Sequence, residues 1–122
     1  MFFISPEMYL AHGAKGLGVY AKNDIPSNVM LELSPISSCY HTNWANTPYQ
    51  IKKLAFSYPQ NSDNYVIALG YISVYNHDDN NNAKWFTCDV GIGIVTLREI
   101  KKDEEICISY GEGYWRNGWT KL

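Results

Sequence analysis

The residues best equipped for chemistry sit in Glu104–Trp115, which reads EEICISYGEGYW. Ile106, Ile108 and Tyr110 alternate with Cys107 and Ser109, a spacing that predicts a short strand running into a turn at Gly111 and Gly113. Tyr110, Tyr114 and Trp115 then stand at one mouth, either closing the core or lining a cleft. Two more stretches carry groups of interest. In Lys15-Gly16-Leu17-Gly18 the glycines let backbone approach a ligand with no side chain in the way, although a lone G-x-G is usually a tight turn. Asn76-His77 opens NHDDNNN, whose composition reads as a surface turn. His12 and His41 have no motif around them and read as surface or packing residues.

Those stretches need a scaffold, and 122 residues suffice for one domain. Phe2–Ile4 and Met8–Leu10 read as strand fragments joined at Ser5-Pro6-Glu7. Ala11–Gly18 reads as a flexible turn feeding a strand at Val19–Ala21. Val29–Leu33 forms another strand, which Ile36–Tyr40 extends beyond Ser34-Pro35. Thr47-Pro48 has the form of a helix start, with a short helix expected over Tyr49–Phe56 that ends by Pro59. Tyr65–Leu69 is a strand interrupted at Gly70. Trp85–Cys88 and Ile92–Leu97 form a hairpin through Asp89-Val90-Gly91, and Arg98–Glu105 is a charged, solvated connector. The sum is a mainly β domain of several short sheets with one or two short helices.

Composition narrows the function classes. A net charge of −2 with 18% charged residues offers no basic patch for nucleic acid. Cys39, Cys88 and Cys107 are scattered, with no C-x-x-C pair, so neither a disulfide framework nor a zinc cluster is expected. An intracellular, reducing compartment follows, with nuclear and cytoplasmic both open. The N-terminus lacks a signal-peptide pattern, and no stretch reaches bilayer-spanning length.

Taken in order, Lys15–Tyr20, Gly70–His77 (GYISVYNH) and Glu104–Gly111 resemble the three motifs of the SET domain of protein-lysine methyltransferases: a glycine turn, an Asn-His motif, and an acidic turn, strand and Tyr-Gly. Size and spacing are similar to the minimal stand-alone SET proteins of algal viruses, bacteria and fungi. The likeness runs from about residue 14 to 115 and implies a single SET domain over 1–122, of β-clip type with a C-terminal pseudoknot, without a pre-SET or zinc-binding post-SET segment. There are two departures. Asp78 stands where the family commonly has Ser, and Asn81-Asn82-Ala83 where it has Pro-Asn-Ala.

What the resemblance implies is methyl transfer from S-adenosylmethionine to a lysine ε-amine, with S-adenosylhomocysteine released and no metal. It makes Tyr110 the catalytic residue. Lys15, Gly16, Leu17, Gly18, Asn76, His77 and Trp115 are its expected cofactor-binding residues, and Tyr75, Ile108, Tyr110 and Tyr114 its substrate channel. Ile108 occupies the position that sets how many methyls fit; isoleucine donates no hydrogen bond there, which predicts a capacity for di- or trimethylation. The expected partner is a lysine-containing protein or peptide, such as a histone tail, and the small viral relatives suggest a homodimer. Direct nucleic-acid and membrane binding are not expected. Two rivals stand beside this reading: a non-catalytic SET-like peptide-binding module, and a small β-rich domain stacking its aromatics on a flat ligand.

Overall fold

The computed structural model describes residues 1–37, 48, 52, 54–62 and 64–111. Its strands are β1 (Phe3–Ile4), β2 (Met8–Gly13), β3 (Gly16–Ala21), β4 (Met30–Ser34), β5 (Ile36–Ser37), β6 (Phe56–Ser57), β7 (Tyr65–Ala68), β8 (Asn76–His77), β9 (Ala83–Cys88), β10 (Gly91–Thr96) and β11 (Cys107–Ile108). They form a four-stranded sheet in the order β1-β4-β10-β9, a three-stranded sheet β5-β7-β6, and the pairs β2-β3 and β11-β8. The domain is mainly β, as its runs of short apolar segments and Gly/Asn turns predict.

The four-stranded sheet is antiparallel and forms the floor of the core. Along β10, Ile92 and Ile94 are fully buried, as is Leu31 on β4. They meet Ile72, Ile100, Ile106 and Ile108, each 0% exposed. Burying one such side chain is worth about 1.5–3 kcal/mol, so this cluster dominates the packing energy. The β2-β3 hairpin lies against the same core through Met8, Val19 and Ala21, and is tied to the C-terminal stretch by the Tyr20↔Glu105 bridge and the Ile106 N–H to Val19 O bond (2.8 Å).

Several local expectations are corrected. Ala11–Gly18 is no flexible turn: β2 and β3 stay in register as far as Gly13↔Gly16, so only Ala14-Lys15 turns. Gly16 has φ +90°, which a side chain would resist, and so ends the turn. Ile36-Ser37 does not prolong β4; it joins β7 in another sheet. Most of the expected helix lies outside the described residues. Lys52 is helical, its N–H bonding Pro48 O at 3.0 Å, while Phe56 belongs to β6. Within the charged connector Ile100 is fully buried and pairs with Ile25. β11 is shorter than the alternation predicts, because Ile106, Cys107 and Ile108 are all buried where alternation would turn Cys107 outward. The expected pseudoknot needs the C-terminal segment, whose part beyond residue 111 lies outside the described residues. What is described is β11 laid parallel to β8, with Asp78 N–H bonding Ile108 O at 3.0 Å.

Candidate active site

Three segments far apart in the chain meet where β3 begins, where β8 lies and where β11 ends. Asn76 joins them. Its amide Nδ2 donates to Leu17 O (3.0 Å) and to Glu105 Oε2 (2.8 Å). Both amide hydrogens are thereby committed, which leaves Oδ1 as the group the amide can offer a ligand, as an acceptor. Glu105 reaches Asn76 because residue 18 is glycine: a Cβ there would lie 2.5 Å from Glu105 Oε2 and 3.0 Å from Asn76 Nδ2. Lys15, at the hairpin tip, donates from Nζ to His77 O (2.6 Å) and lies 3.7 Å from Asp78 Oδ2.

His77 is buried and braces the C-terminal stretch. Its Nδ1 accepts the Tyr110 N–H at 3.0 Å, so the ring proton sits on Nε2, which faces Asp79 Oδ1 at 2.7 Å. Tyr110 is pinned at its other end too, its hydroxyl donating to Tyr75 O at 2.8 Å. Residues 75 and 77 thus hold the tip and the backbone of Tyr110 on either side of Asn76, and the His77 and Tyr110 rings lie 5.3 Å apart. With its proton aimed at Tyr75 O, the phenol oxygen can act only as an acceptor towards a third group.

The structure therefore gathers Lys15, Gly16, Leu17, Gly18, Asn76, His77 and Tyr110. It does not gather all of the expected channel. Tyr75 is corrected: its side chain is 1% exposed and turned into the core, with its hydroxyl on Glu32 Oε1 at 2.9 Å, and only its carbonyl faces Tyr110. Ile108 is 0% exposed and packs in the core cluster next to the Tyr110 segment. Tyr114 and Trp115 lie outside the described residues. The departure at Asp78 is a rebuilt turn, its Oδ1 accepting the Asn80 N–H at 2.9 Å.

Glu105 and Asn82 are site residues that the sequence reading passed over. Asn82 is 3% exposed, not a surface turn residue, and stitches the C-terminal stretch in place by accepting Cys107 N–H (2.9 Å) and donating to Glu105 O (2.8 Å). Glu105 was hidden in a run of charges; its one distinguishing mark is that it immediately precedes the buried Ile106. Near it, burial first and the Glu105 carboxylate second push the Cys107 thiol up to about 12.

Residues 16–111 match the SET domain family. The chain belongs to that family. Its members are protein-lysine methyltransferases that use S-adenosylmethionine, so the class of reaction is methyl transfer to a lysine side chain. A histone-lysine N-methyltransferase of Schizosaccharomyces pombe, named as H3 lysine-37 specific, is 34% identical over 103 residues, which is 83% of this chain and 70% of that protein. A solved structure of a candidate histone methyltransferase from Plasmodium falciparum superposes with a TM-score of 0.76 at 26% identity, covering 92% of this chain and 99% of that one.

The gathered residues fit the methionine end of such a cofactor. An amino-acid terminus presents one ammonium and one carboxylate. Asn76 Oδ1, backed by the Glu105 carboxylate, is an acceptor for the first, and the Lys15 ammonium suits the second. Among the described residues, nothing lies within 4 Å of the position a Cβ on Gly16 would take, which leaves room for a ligand beside the backbone there.

Proposed function

We propose that this protein methylates a lysine in an extended, basic protein tail such as a histone's, using S-adenosylmethionine held by Lys15–Gly18, Asn76 and the His77 backbone. When bound, that cofactor supplies an electrophilic methyl on a sulfonium. The protein's own part is to place the amine and to favour its neutral form. A free lysine has a pKa of about 10.4, so it must arrive neutral, and a desolvated aromatic site favours that form. Tyr110, fixed at both ends, offers its oxygen as an acceptor to an amine N–H. Positioning of this kind can contribute several kcal/mol.

The observation that carries this reading is the double anchoring of Tyr110 by residues 75 and 77, the two neighbours of Asn76 in the chain. The histone tail is supported by what the fungal relative is named for. A capacity for di- or trimethylation is supported by the lack of a hydroxyl at Ile108. An intracellular location is supported by the free thiols of Cys88 and Cys107. A homodimer belongs to the same proposal, resting on the resemblance to small relatives; a monomer at micromolar concentration by light scattering would remove it.

One observation favours the non-catalytic peptide-binding module. A Tyr110 hydroxyl given to a backbone carbonyl is also what a packing tyrosine would show. Labelled S-adenosylmethionine with mixed core histones, wild type beside Tyr110→Phe, separates the two. Transfer that collapses in the mutant supports the enzyme, and mass spectrometry then reads the lysine and the methyl count. Calorimetry that shows cofactor binding with no turnover on any basic tail would support the module.

A further inference from the structure

The core holds one carboxylate that packing alone does not require. Glu32, on β4, is 0% exposed. Its Oε2 accepts from Ser34 Oγ (2.6 Å) and the Tyr71 N–H (2.8 Å), its Oε1 accepts from the Tyr75 hydroxyl (2.9 Å), and the Ile72 N–H also bonds it. All these donors are neutral, and among the described residues no cation pairs with Glu32. Burying a carboxylate among neutral donors is costly, and an apolar or neutral side chain would serve stability as well or better. Burial accordingly lifts its pKa above the usual carboxylate range, with the bonds from Ser34, Tyr75, Tyr71 and Ile72 holding it back.

What the carboxylate organises is the turn leading into β8. Gly70 (φ +119°) presses against it so closely that a Cβ would lie 2.5 Å from Oε2. Tyr71 and Ile72 aim their N–H groups at it, Val74 N–H closes the turn on Tyr71 O (2.8 Å), and Tyr75 ends the turn with its ring locked to Oε1. The next atom along is Tyr75 O, the acceptor of the Tyr110 hydroxyl (2.8 Å).

We propose that Glu32 is a positioning residue for methyl transfer, holding Tyr75 by its hydroxyl so that the Tyr75 carbonyl fixes the Tyr110 phenol. It touches neither lysine nor cofactor. Its effect passes through one side-chain hydrogen bond, one residue's covalent frame and one carbonyl hydrogen bond. This rests on the methyltransferase reading above, and wild-type turnover on histone tails is the control that tests that reading separately.

The decisive variant is Tyr75→Phe, which deletes the contact to Glu32 and keeps the ring and the carbonyl; Glu32→Gln is its companion. Single-turnover rates at saturating cofactor and peptide are measured beside the cofactor Kd, the peptide KM and the melting temperature. The expected result is a rate about tenfold lower in both variants, with Kd and KM within about twofold of wild type. In a Tyr110→Phe background, with any residual rate measured, Tyr75→Phe should lower the rate no further, because its route of action is already gone. A folded Tyr75→Phe protein with the wild-type rate would overturn the proposal. So would a rate that falls only in step with cofactor affinity, and so would a Tyr75→Phe chain that fails to fold, since the contact would then serve stability.

Discussion

Gly18→Ala adds one methyl group at the point where the three segments meet. Gly18 does not adopt a left-handed φ, so the new residue meets no backbone strain, and its whole effect comes from the space it takes. Its Cβ would lie 2.5 Å from Glu105 Oε2, closer than two such atoms can stand, and 3.0 Å from Asn76 Nδ2. The Glu105 carboxylate ends a flexible side chain and will swing away, breaking its 2.8 Å bond to Asn76. A hydrogen bond to a charged group is worth about 1.5–3 kcal/mol. The alanine restores about 0.4–1 kcal/mol by restricting the unfolded chain. That gain acts on folding alone; the lost bond frees Asn76, and about 1–2 kcal/mol of its worth falls on cofactor binding. Cofactor affinity measured by calorimetry should therefore fall about five- to thirtyfold. Shortening the obstacle supplies the check: with Glu105→Ser already in place, Gly18→Ala should cost much less, because only the 3.0 Å contact to Asn76 Nδ2 is left to relax. Affinity within twofold of wild type in Gly18→Ala alone, or fully additive losses in the double variant, would refute the reasoning.

Replacing Lys15 by Met removes an ammonium that is partly exposed (23%) and whose partner Asp78 is more so (47%). Such a pair adds little to stability, so the fall in melting temperature should be modest and come from the lost bond to His77 O (2.6 Å), while cofactor affinity falls and loses its salt dependence in titrations at low and high ionic strength. Glu32→Gln should change how stability depends on pH. In the wild type the folded-state pKa of Glu32 is raised by burial, so from about 4.3 upward the unfolded chain ionises first, and stability is lost until the pH passes the folded value. Melts across the weakly acidic range should show the wild type losing ground to Glu32→Gln there and the difference levelling off above it. Cys107, with its thiol at about 12, should resist a thiol-specific reagent in the native protein at neutral pH and react only after unfolding, as peptide mapping of the labelled chain would show.

How much of this was legible in the sequence depends on whether a residue's neighbours in the chain are also its neighbours in space. The β9-β10 hairpin is local: its alternation and its Asp89-Val90 turn were readable, and the register runs Gly91↔Cys88 through Thr96↔Ala83 as a hairpin must. The three segments of the site were readable only as a set, since G-x-G, Asn-His and Tyr-Gly each have an ordinary explanation alone. The misreadings occur where distant partners override composition. Asn76–Asn82 looks like solvent-facing turn because asparagine favours turns, yet Asn82 is buried by its bonds to Glu105 and Cys107, residues far along the chain. Glycines 13, 16 and 18 suggested flexibility, but cross-strand pairing uses them to bring two backbones and a carboxylate close together. The family resemblance puts Tyr75 in the channel, and nothing near it in sequence announces Glu32, 43 positions earlier, as the group that draws its hydroxyl inward.

That last case bears on how such a small domain makes a site at all. β8 and β11 are two residues each, too short to be rigid by themselves. They are held instead by side chains acting as struts: Asn82 under β11, His77 between β8 and Tyr110, and Glu32 behind the turn that feeds β8. Each strut is a buried polar group with its hydrogen bonds satisfied, and no buried side-chain N or O among the described residues lacks a partner. Apolar packing could fill the same volumes, but it is non-directional and would leave Tyr110 free to rotate about its neighbours. Hydrogen bonds fix an angle as well as a distance. Buried polar side chains thus hold these two short strands, and the residues so used converge on the Asn76 and Tyr110 segments.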